Sequence, residues 1–158
     1  MITKIINEKF SGAVLESGAP YGDETVVIDR ARLFEVLAFL KTYPTTPFNL
    51  LLDICGVDYL GKEPRFEVVY HLYSLSQRAR LRVKVKLSES DLTIPSVMGI
   101  WEAADWFERE AYDMYGIHFE GHPKLKRLMM WEEFQGYPLR KDYPMNKRQP
   151  IPEPAEIV

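Results

Sequence analysis

Residues 66–87, which read FEVVYHLYSLSQRARLRVKVKL, decide the fold. Apolar side chains stand at every second position of 66–72 and again of 81–87, where arginine and lysine fill the positions between them. The polar segment 74–79 separates the two runs. A period of two is typical of strands that bury one face and leave the other in solvent. The stretch therefore predicts a β-hairpin with one face in the core and one basic face in water.

Upstream of the hairpin, the sequence predicts a strand, a helix and a second strand. The β-branched run 24–28 is typical of a short strand, and Asp29 is placed to cap a helix whose apolar residues recur at helical spacing over 33–41. Pro44 ends that helix. Residues 48–54 are largely apolar at successive positions, which predicts an interior strand covered on both faces.

A second helix is predicted downstream of the hairpin. It opens at Pro95 and Ser96, carries apolar residues at three- and four-residue steps over 100–114, and closes at Gly116. The order of these elements places all helices against one sheet that contains a hairpin. The predicted fold is therefore α+β, a mixed sheet with a hairpin packed by two helices.

The chain changes character after residue 121. Prolines accumulate near its end, and they exclude a helix or an interior strand there. We therefore divide the chain into an α+β domain at residues 1–121 and an extended, proline-rich C-terminal segment at residues 122–158, which we expect to lie in an interface. The prolines concerned are Pro138, Pro144, Pro150, Pro152 and Pro154.

Composition limits the classes of function. The 158 residues are 46% hydrophobic and 27% charged, as in a soluble globular domain, and the net charge of −3 argues against general attraction to nucleic acid. Cys55 is the only cysteine, so the chain forms no internal disulfide and cannot alone ligate an iron–sulfur cluster, which takes about four thiolates. No run approaches the ~20 apolar residues of a membrane span, and the first ten residues lack the apolar core of a secretory signal. A reducing compartment is expected.

Nucleotide-binding and hydrolase motifs are absent or incomplete. The glycine and lysine spacing of 56–62 matches a phosphate-binding P-loop, but Glu63 stands where a hydroxyl should hold magnesium, and Pro64 opposes the required helix. We interpret this stretch as a loop between strands. The chain contains no G-x-G dinucleotide fingerprint and no G-x-S-x-G nucleophile elbow.

Two histidines raise the alternative of a metal site. His118 and His122 stand four residues apart, a spacing that places two imidazoles on one face of a helix. Glycines and a proline enclose this segment, so the helix is not expected, and a third ligand would have to come from Cys55, His71 or a carboxylate. We therefore predict no metal site and interpret His122 as a turn residue bonded to backbone.

The second helix carries a row of charges. Glu102, Asp105, Arg109 and Asp113 recur on one face, and a general acid–base pair could be drawn from them. Ordinary ion pairing explains them better, because Asp105 lies four residues before Arg109 in the favourable order. No catalytic residue is assigned.

Two stretches carry a resemblance to a known family. Residues 108–129, EREAYDMYGIHFEGHPKLKRLM, resemble the hallmark of the 30-kDa subunit family of respiratory complex I, whose bacterial members are its C-type subunits. Residues 136–144, GYPLRKDYP, are similar to the second hallmark of that family. The positions that match are expected to be structural and interface residues: Glu108, Arg109, Glu110, Asp113, His122, Lys126, Arg127, Arg140, Lys141 and Asp142.

The resemblance implies a non-catalytic subunit in the peripheral arm of a proton-translocating NADH:quinone oxidoreductase. Its implied partners are the 49-kDa-type (D-type) quinone-site subunit and the neighbouring iron–sulfur subunits, which with other subunits would hold the FMN, the clusters and the quinone. Membrane association would be indirect, at the cytoplasmic face of a bacterial plasma membrane, equivalent to the mitochondrial matrix or plastid stroma side.

Two alternatives stay open at this point. The chain can be the equivalent subunit of a related assembly, namely a membrane-bound hydrogenase, a formate hydrogenlyase or a photosynthetic NDH-type complex. A function of another class is a small stand-alone metal-dependent enzyme that uses His118 and His122.

Overall fold

The computed structural model describes residues 2–150 of the chain. Three helices, seven strands and one 3-10 turn are found there. In chain order they are α1 (Ile2–Lys9), β1 (Val14–Gly18), β2 (Glu24–Ile28), the 3-10 turn (Arg30–Arg32), α2 (Leu33–Thr42), β3 (Leu50–Asp58), β4 (Phe66–Ser74), β5 (Ala79–Leu87), β6 (Thr93–Pro95), α3 (Ala104–Tyr115) and β7 (His118–Glu120).

The predicted hairpin lies in a five-stranded sheet. Strands β4 and β5 pair antiparallel without a break from Phe66 opposite Leu87 to Ser74 opposite Ala79. The strand order is β1-β2-β5-β4-β3, and β2 runs parallel to β5. The sheet is therefore mixed, and the predicted α+β fold is confirmed.

One face of the sheet and all three helices share a single core. Val68, Tyr70 and Val83 are fully buried on the hairpin's inner face, and the core also takes side chains from α1, α2 and α3. Helix α3 approaches β3 so closely that a Cβ atom on Gly56 would lie 2.6 Å from the Tyr115 ring. The core thus fixes α3, which carries the first family motif, against the edge of the sheet.

The outer face of the sheet is less open than the sequence predicted. Lys84 of β5 pairs with Glu67 of β4 at 2.8 Å, and Lys86 pairs with Glu16 of β1. Glu67 and Val69 are nearly buried on this face. Long lysine stems cover neighbouring side chains while their charged ends stay near solvent, which explains this burial on an outer face.

The expectation of an interior strand at 48–54 was wrong. Strand β3 runs from Leu50 to Asp58 and forms an edge of the sheet. Leu51 is buried, whereas Leu50 and Leu52 on either side of it are 39% and 41% exposed. The apolar run is therefore partly a surface feature, which hydropathy alone does not reveal.

The second predicted helix begins eight residues later than expected. Pro95 belongs to β6, which pairs parallel with β7, and the Ser96 amide donates to the Glu120 carbonyl. Residues 97–103 form tight turns before α3 starts at Ala104. The predicted end at Gly116 is confirmed, since this residue closes α3 in the left-handed conformation with φ +79°.

Candidate functional site

The family motifs meet at one side of α3. After β7, the chain turns back and residues 125–143, here called the anchored segment, lie against α3 and the adjoining end of the sheet. Two groups of charged residues hold this segment. Residues 151–158, with Pro152 and Pro154, lie outside the described part of the chain.

The first group, here called the Asp113 cluster, consists of Asp113, Arg127 and the backbone of residues 128–130. Asp113 is fully buried and accepts hydrogen bonds from Arg127 Nη1 at 2.6 Å and from the three consecutive amides at 2.7–2.9 Å. Burial alone would raise the pKa of this carboxyl, but the four donors outweigh it and hold the pKa below its ordinary value. The charge of Asp113 therefore serves to fold the anchored segment back onto α3.

Arg127 extends the Asp113 cluster along the segment. Its Nη2 donates to the carbonyls of Phe134 and Gly136 at 2.8 and 3.0 Å. Its guanidinium also lies 5.5 Å from the ring centroids of both Phe134 and Tyr137. One arginine thus closes the loop 127–137, a geometry that a lysine, with its compact ammonium, cannot reproduce.

Arg140 binds the C-terminal end of α3. Its Nε donates to the Tyr115 carbonyl at 2.7 Å, and its guanidinium lies 4.7 Å from the Tyr137 ring and 5.1 Å from the Phe66 ring. A cation at this end of a helix complements the helix dipole. The Tyr137 ring fills the space where a Cβ on Gly116 would lie, at 2.6 Å.

The second group, here called the Arg65 cluster, consists of Asp58, Arg65, Glu89, Asp142 and the Lys141 amide. Arg65 is nearly buried and makes a bidentate pair with Asp58 at 2.9 Å, and it also bonds Glu89 and Asp142 at 2.7 and 3.0 Å. The Lys141 amide donates to Asp58 at 2.8 Å. Hydrogen bonds from Arg65 lower the pKa of both Asp58 and Asp142.

Glu108 lies on another side of α3 and is fully buried. It accepts hydrogen bonds from the Ser96 hydroxyl and the Val97 amide, both at 2.6 Å. Burial raises its pKa to about 7, because these two neutral donors compensate only part of the lost hydration. The nearby Tyr70 hydroxyl is buried, and no hydrogen-bond partner for it is found in residues 2–150. Glu108 therefore holds the chain between β6 and α3 in place.

The ion pair predicted between Asp105 and Arg109 was wrong. Asp105 lies 3.1 Å from Nε2 of His122, and Arg109 donates to the carbonyls of Lys126 and Arg127. The anchored segment and the turn before it compete successfully for both side chains, because they pack directly on this face of α3. Nδ1 of His122 accepts from the Lys124 amide at 3.0 Å, as expected for a turn histidine.

The remaining motif positions point outward. The side chains of Glu110, Lys126 and Lys141 are exposed. Nearby Trp106, Met129 and Leu139 are each more than half exposed. The motifs thus combine an internal anchoring function with a surface of mixed apolar and charged character.

The best-formed cleft in residues 2–150 lies away from the motif residues. It has a volume of about 480 Å³, with Glu16, Lys84 and Lys86 among its walls. Its lining includes none of the ten motif residues. The hydrogen bonds of Asp113, Arg127 and Arg140 are all made within the described chain.

The only group of three metal-ligating side chains in residues 2–150 is Asp53, Cys55 and His71. In the sequence, Cys55 and His71 are candidates only for a third ligand beside His118 and His122, which lie in β7 and the following turn. Burial and the neighbouring Asp53 raise the pKa of Cys55 to about 11. Burial and the charge of Arg82 lower the pKa of His71, so its imidazole is neutral at neutral pH.

No helix within residues 2–150 is long and apolar enough to cross a bilayer.

A family model described as the 30-kDa subunit of the respiratory-chain NADH dehydrogenase matches residues 26–149.

Relatives and solved structures agree with this family match. A C-type subunit of NADH-quinone oxidoreductase from Rhizobium etli (strain CIAT 652) is 49% identical over 140 residues, covering 89% of this chain and 74% of that protein. The C-type subunit of the same enzyme from Geotalea uraniireducens (strain Rf4) is 46% identical over 140 residues, covering 89% and 84%. A trypsin-resistant fragment (1–134) of Nqo5 superposes with a TM-score of 0.68 at 36% identity, over 78% of this chain and 98% of the fragment. A chain of the membrane-bound sulfane sulfur reductase, an archaeal respiratory membrane complex, gives 0.77 at 29% identity, over 92% and 85%.

Proposed function

The chain belongs to the family of 30-kDa subunits of the respiratory-chain NADH dehydrogenase, and on this premise we propose that it is a non-catalytic subunit of the peripheral arm of an NADH:quinone oxidoreductase. Its task there is to scaffold the quinone-site and iron–sulfur subunits during electron transfer from NADH to quinone. Its place is peripheral, at the cytoplasmic face of the membrane, and its membrane association is indirect.

The Asp113 cluster is the observation that carries this proposal. Its carboxylate is fully buried and all its hydrogen bonds hold the anchored segment in place, so it is not available to a substrate. Arg140 and Asp142 likewise bond to other parts of the chain, namely the Tyr115 carbonyl and Arg65. Residues that define the family thus give the chain a shape, which supports a scaffold rather than a catalyst.

Exposed motif positions and the neighbouring Trp106 supply the docking surface in this proposal. Trp106, Met129 and Leu139 offer apolar contact area, and Lys126 and Lys141 offer charge around it. An apolar centre with a polar rim is the usual composition of a protein interface. We infer that this surface binds the 49-kDa-type subunit and extends toward the neighbouring iron–sulfur subunits, in an interface above about 1,200 Å² in total.

The redox centres belong to the partners in this proposal. A single cysteine cannot ligate a cluster, and the chain carries no dinucleotide loop. FMN, iron–sulfur clusters and quinone are therefore assigned to the other subunits. Among the related assemblies, the names of the matched relatives favour NADH-quinone oxidoreductase over a hydrogenase or formate hydrogenlyase.

Capture of the purified 49-kDa-type subunit by the full chain tests the docking surface. Trp106 is 61% exposed, so Trp106→Ala should leave the domain folded and weaken capture at least tenfold, the loss typical of an aromatic hot spot of about 2 kcal/mol. Tyr21→Ala is the matched control, because Tyr21 is 86% exposed and lies between β1 and β2, at the sheet edge opposite β3. Equal capture by both variants would remove Trp106 from the interface, and no capture by the wild-type chain would contradict the proposed partner.

A further inference from the structure

Three side chains of different chemistry meet on the outer face of the sheet edge. Asp53 and Cys55 are two residues apart on β3, so both point to the same face. His71 of β4 stands directly opposite Asp53 in the antiparallel register. One carboxylate oxygen, the Cys55 sulfur and one imidazole nitrogen all lie within 4.8 Å of one another.

This donor set selects a class of metal ion. Thiolate, imidazole and carboxylate together are typical ligands of Zn²⁺, whereas Ca²⁺ and Mg²⁺ prefer oxygen alone. Bonds to Zn²⁺ of about 2.0–2.3 Å require the three side chains to close in by rotamer adjustment from their present separation. Two rigid, paired strands supply all three, which limits the backbone movement needed.

The surroundings give access and a defined charge balance. A cleft of about 330 Å³ opens beside Asp53 and His71, with Asp23, Arg80 and Arg82 also in its walls. Arg82 stands opposite His71 on β5, and its Nη1 donates to the Thr25 hydroxyl at 3.2 Å. The +2 charge of a divalent cation balances the charges of the Asp53 carboxylate and the Cys55 thiolate, so the occupied site carries no net charge.

We propose that Asp53, Cys55 and His71 form a binding site for a borderline-soft divalent cation of the Zn²⁺ class, with water from the cleft completing a tetrahedron. As the bond between sulfur and metal forms, the S–H bond breaks and its proton passes to solvent. No electron is transferred, because Zn²⁺ is redox-inert. The site joins the edge strand β3 to β4, and none of its three ligands belongs to the proposed docking surface.

Isothermal titration calorimetry of the metal-stripped full chain with ZnCl₂ tests the site. We expect one equivalent to bind, and Cys55→Ser or His71→Gln to weaken binding at least tenfold, since loss of outer-shell partners alone costs 10–100-fold. His118→Gln and His122→Gln are the matched controls and should bind as wild type. CoCl₂ should produce a thiolate-to-cobalt charge-transfer band that Cys55→Ser abolishes.

Three results would overturn this site. They are no zinc binding by the wild-type chain, binding that survives Cys55→Ser at full strength, and binding that disappears in His118→Gln or His122→Gln instead. Denaturant unfolding of each variant without metal separates loss of the site from loss of the fold, and the conservative Cys55→Ser keeps the test valid if His71→Gln does not fold. Capture of the 49-kDa-type subunit is a separate readout, so failure of the metal site leaves the proposed function standing.

Discussion

Asp113 and Glu108 are buried carboxylates five residues apart on α3, yet their surroundings shift their pKa values in opposite directions. Asp113 accepts from three amides and a guanidinium, whereas Glu108 accepts from one hydroxyl and one amide. Burial is common to both, so the number and charge of the donors decide the outcome. The Asp113 side of α3 fixes the anchored segment by charge, and the Glu108 side fixes the chain before α3 by neutral hydrogen bonds.

The largest expected effect is that of Asp113→Ala. This change leaves Arg127 without its carboxylate and three amides without their acceptor. Breaking a buried charge pair on one side costs about 3–5 kcal/mol, so we expect that loss in the free energy of unfolding measured with urea. Glu120→Ala is the control, because Glu120 is exposed and should change stability by less than about 0.5 kcal/mol. Similar losses in both variants would show that the donors around Asp113 do not stabilise the fold.

Glu108 and Asp113 should give the free energy of unfolding pH dependences of opposite sign. The folded pKa of Glu108, about 7, lies above the ordinary 4.5, so folding favours the protonated form. The linked stability, roughly 3 kcal/mol, is fully present below pH 4.5 and is lost as the pH rises to about 7. Asp113, whose pKa is lowered, instead loses its contribution as the pH falls below its ordinary value.

Glu108→Gln isolates this contribution. The variant should lack the decline between pH 4.5 and 7 when urea unfolding is measured across that range. Glu110→Gln serves as the matched control, since Glu110 is the exposed neighbour on the same helix. If wild type and Glu108→Gln lose stability in parallel over this range, Glu108 is not the titrating group.

A smaller effect is expected where the anchored segment crosses the end of α3. Gly116→Ala and Gly12→Ala both place a side chain at positive φ, +79° and +76°, but only Gly116 faces a ring at 2.6 Å. The difference between the two variants therefore reports the packing of Tyr137 and Arg140 against α3, and we expect Gly116→Ala to lower the free energy of unfolding by about 1–3 kcal/mol more than Gly12→Ala in urea. Equal losses would mean that Tyr137 and Arg140 both move aside without cost.

The smallest effect on stability is predicted for Lys126→Glu. The side chain is exposed, and within the described residues Lys126 is bonded only through its backbone carbonyl, which accepts from Arg109. The free energy of unfolding should change by less than about 0.5 kcal/mol. A rim charge mainly affects association rate and its salt dependence, so capture of the 49-kDa-type subunit should change in its salt dependence. A destabilisation as large as that of Asp113→Ala would place Lys126 among the anchors instead.

The sequence predicted those structural elements that depend on residues close together in the chain. Alternation over 66–87 indicated the hairpin, because successive side chains of a strand point to opposite faces. Gly116 indicated the end of α3, because glycine readily takes the left-handed conformation with which helices commonly end. The motif positions between residues 108 and 142 were also selected from the sequence, and their interface role stays a prediction. Their division between buried anchors and exposed contacts was not predicted from the sequence.

That division depends on residues far apart in the chain. Asp58 meets the Lys141 amide across 83 positions, and Asp53 meets His71 only because β3 pairs with β4 in one register with a shift at its start. The sequence by itself determined the hairpin, the helix end and the family, because these depend on short-range periodicity and spacing. The tertiary structure alone decided which carboxylates are charged anchors and which side chains form a metal-ligating group, because burial and donor count arise only when distant segments pack together.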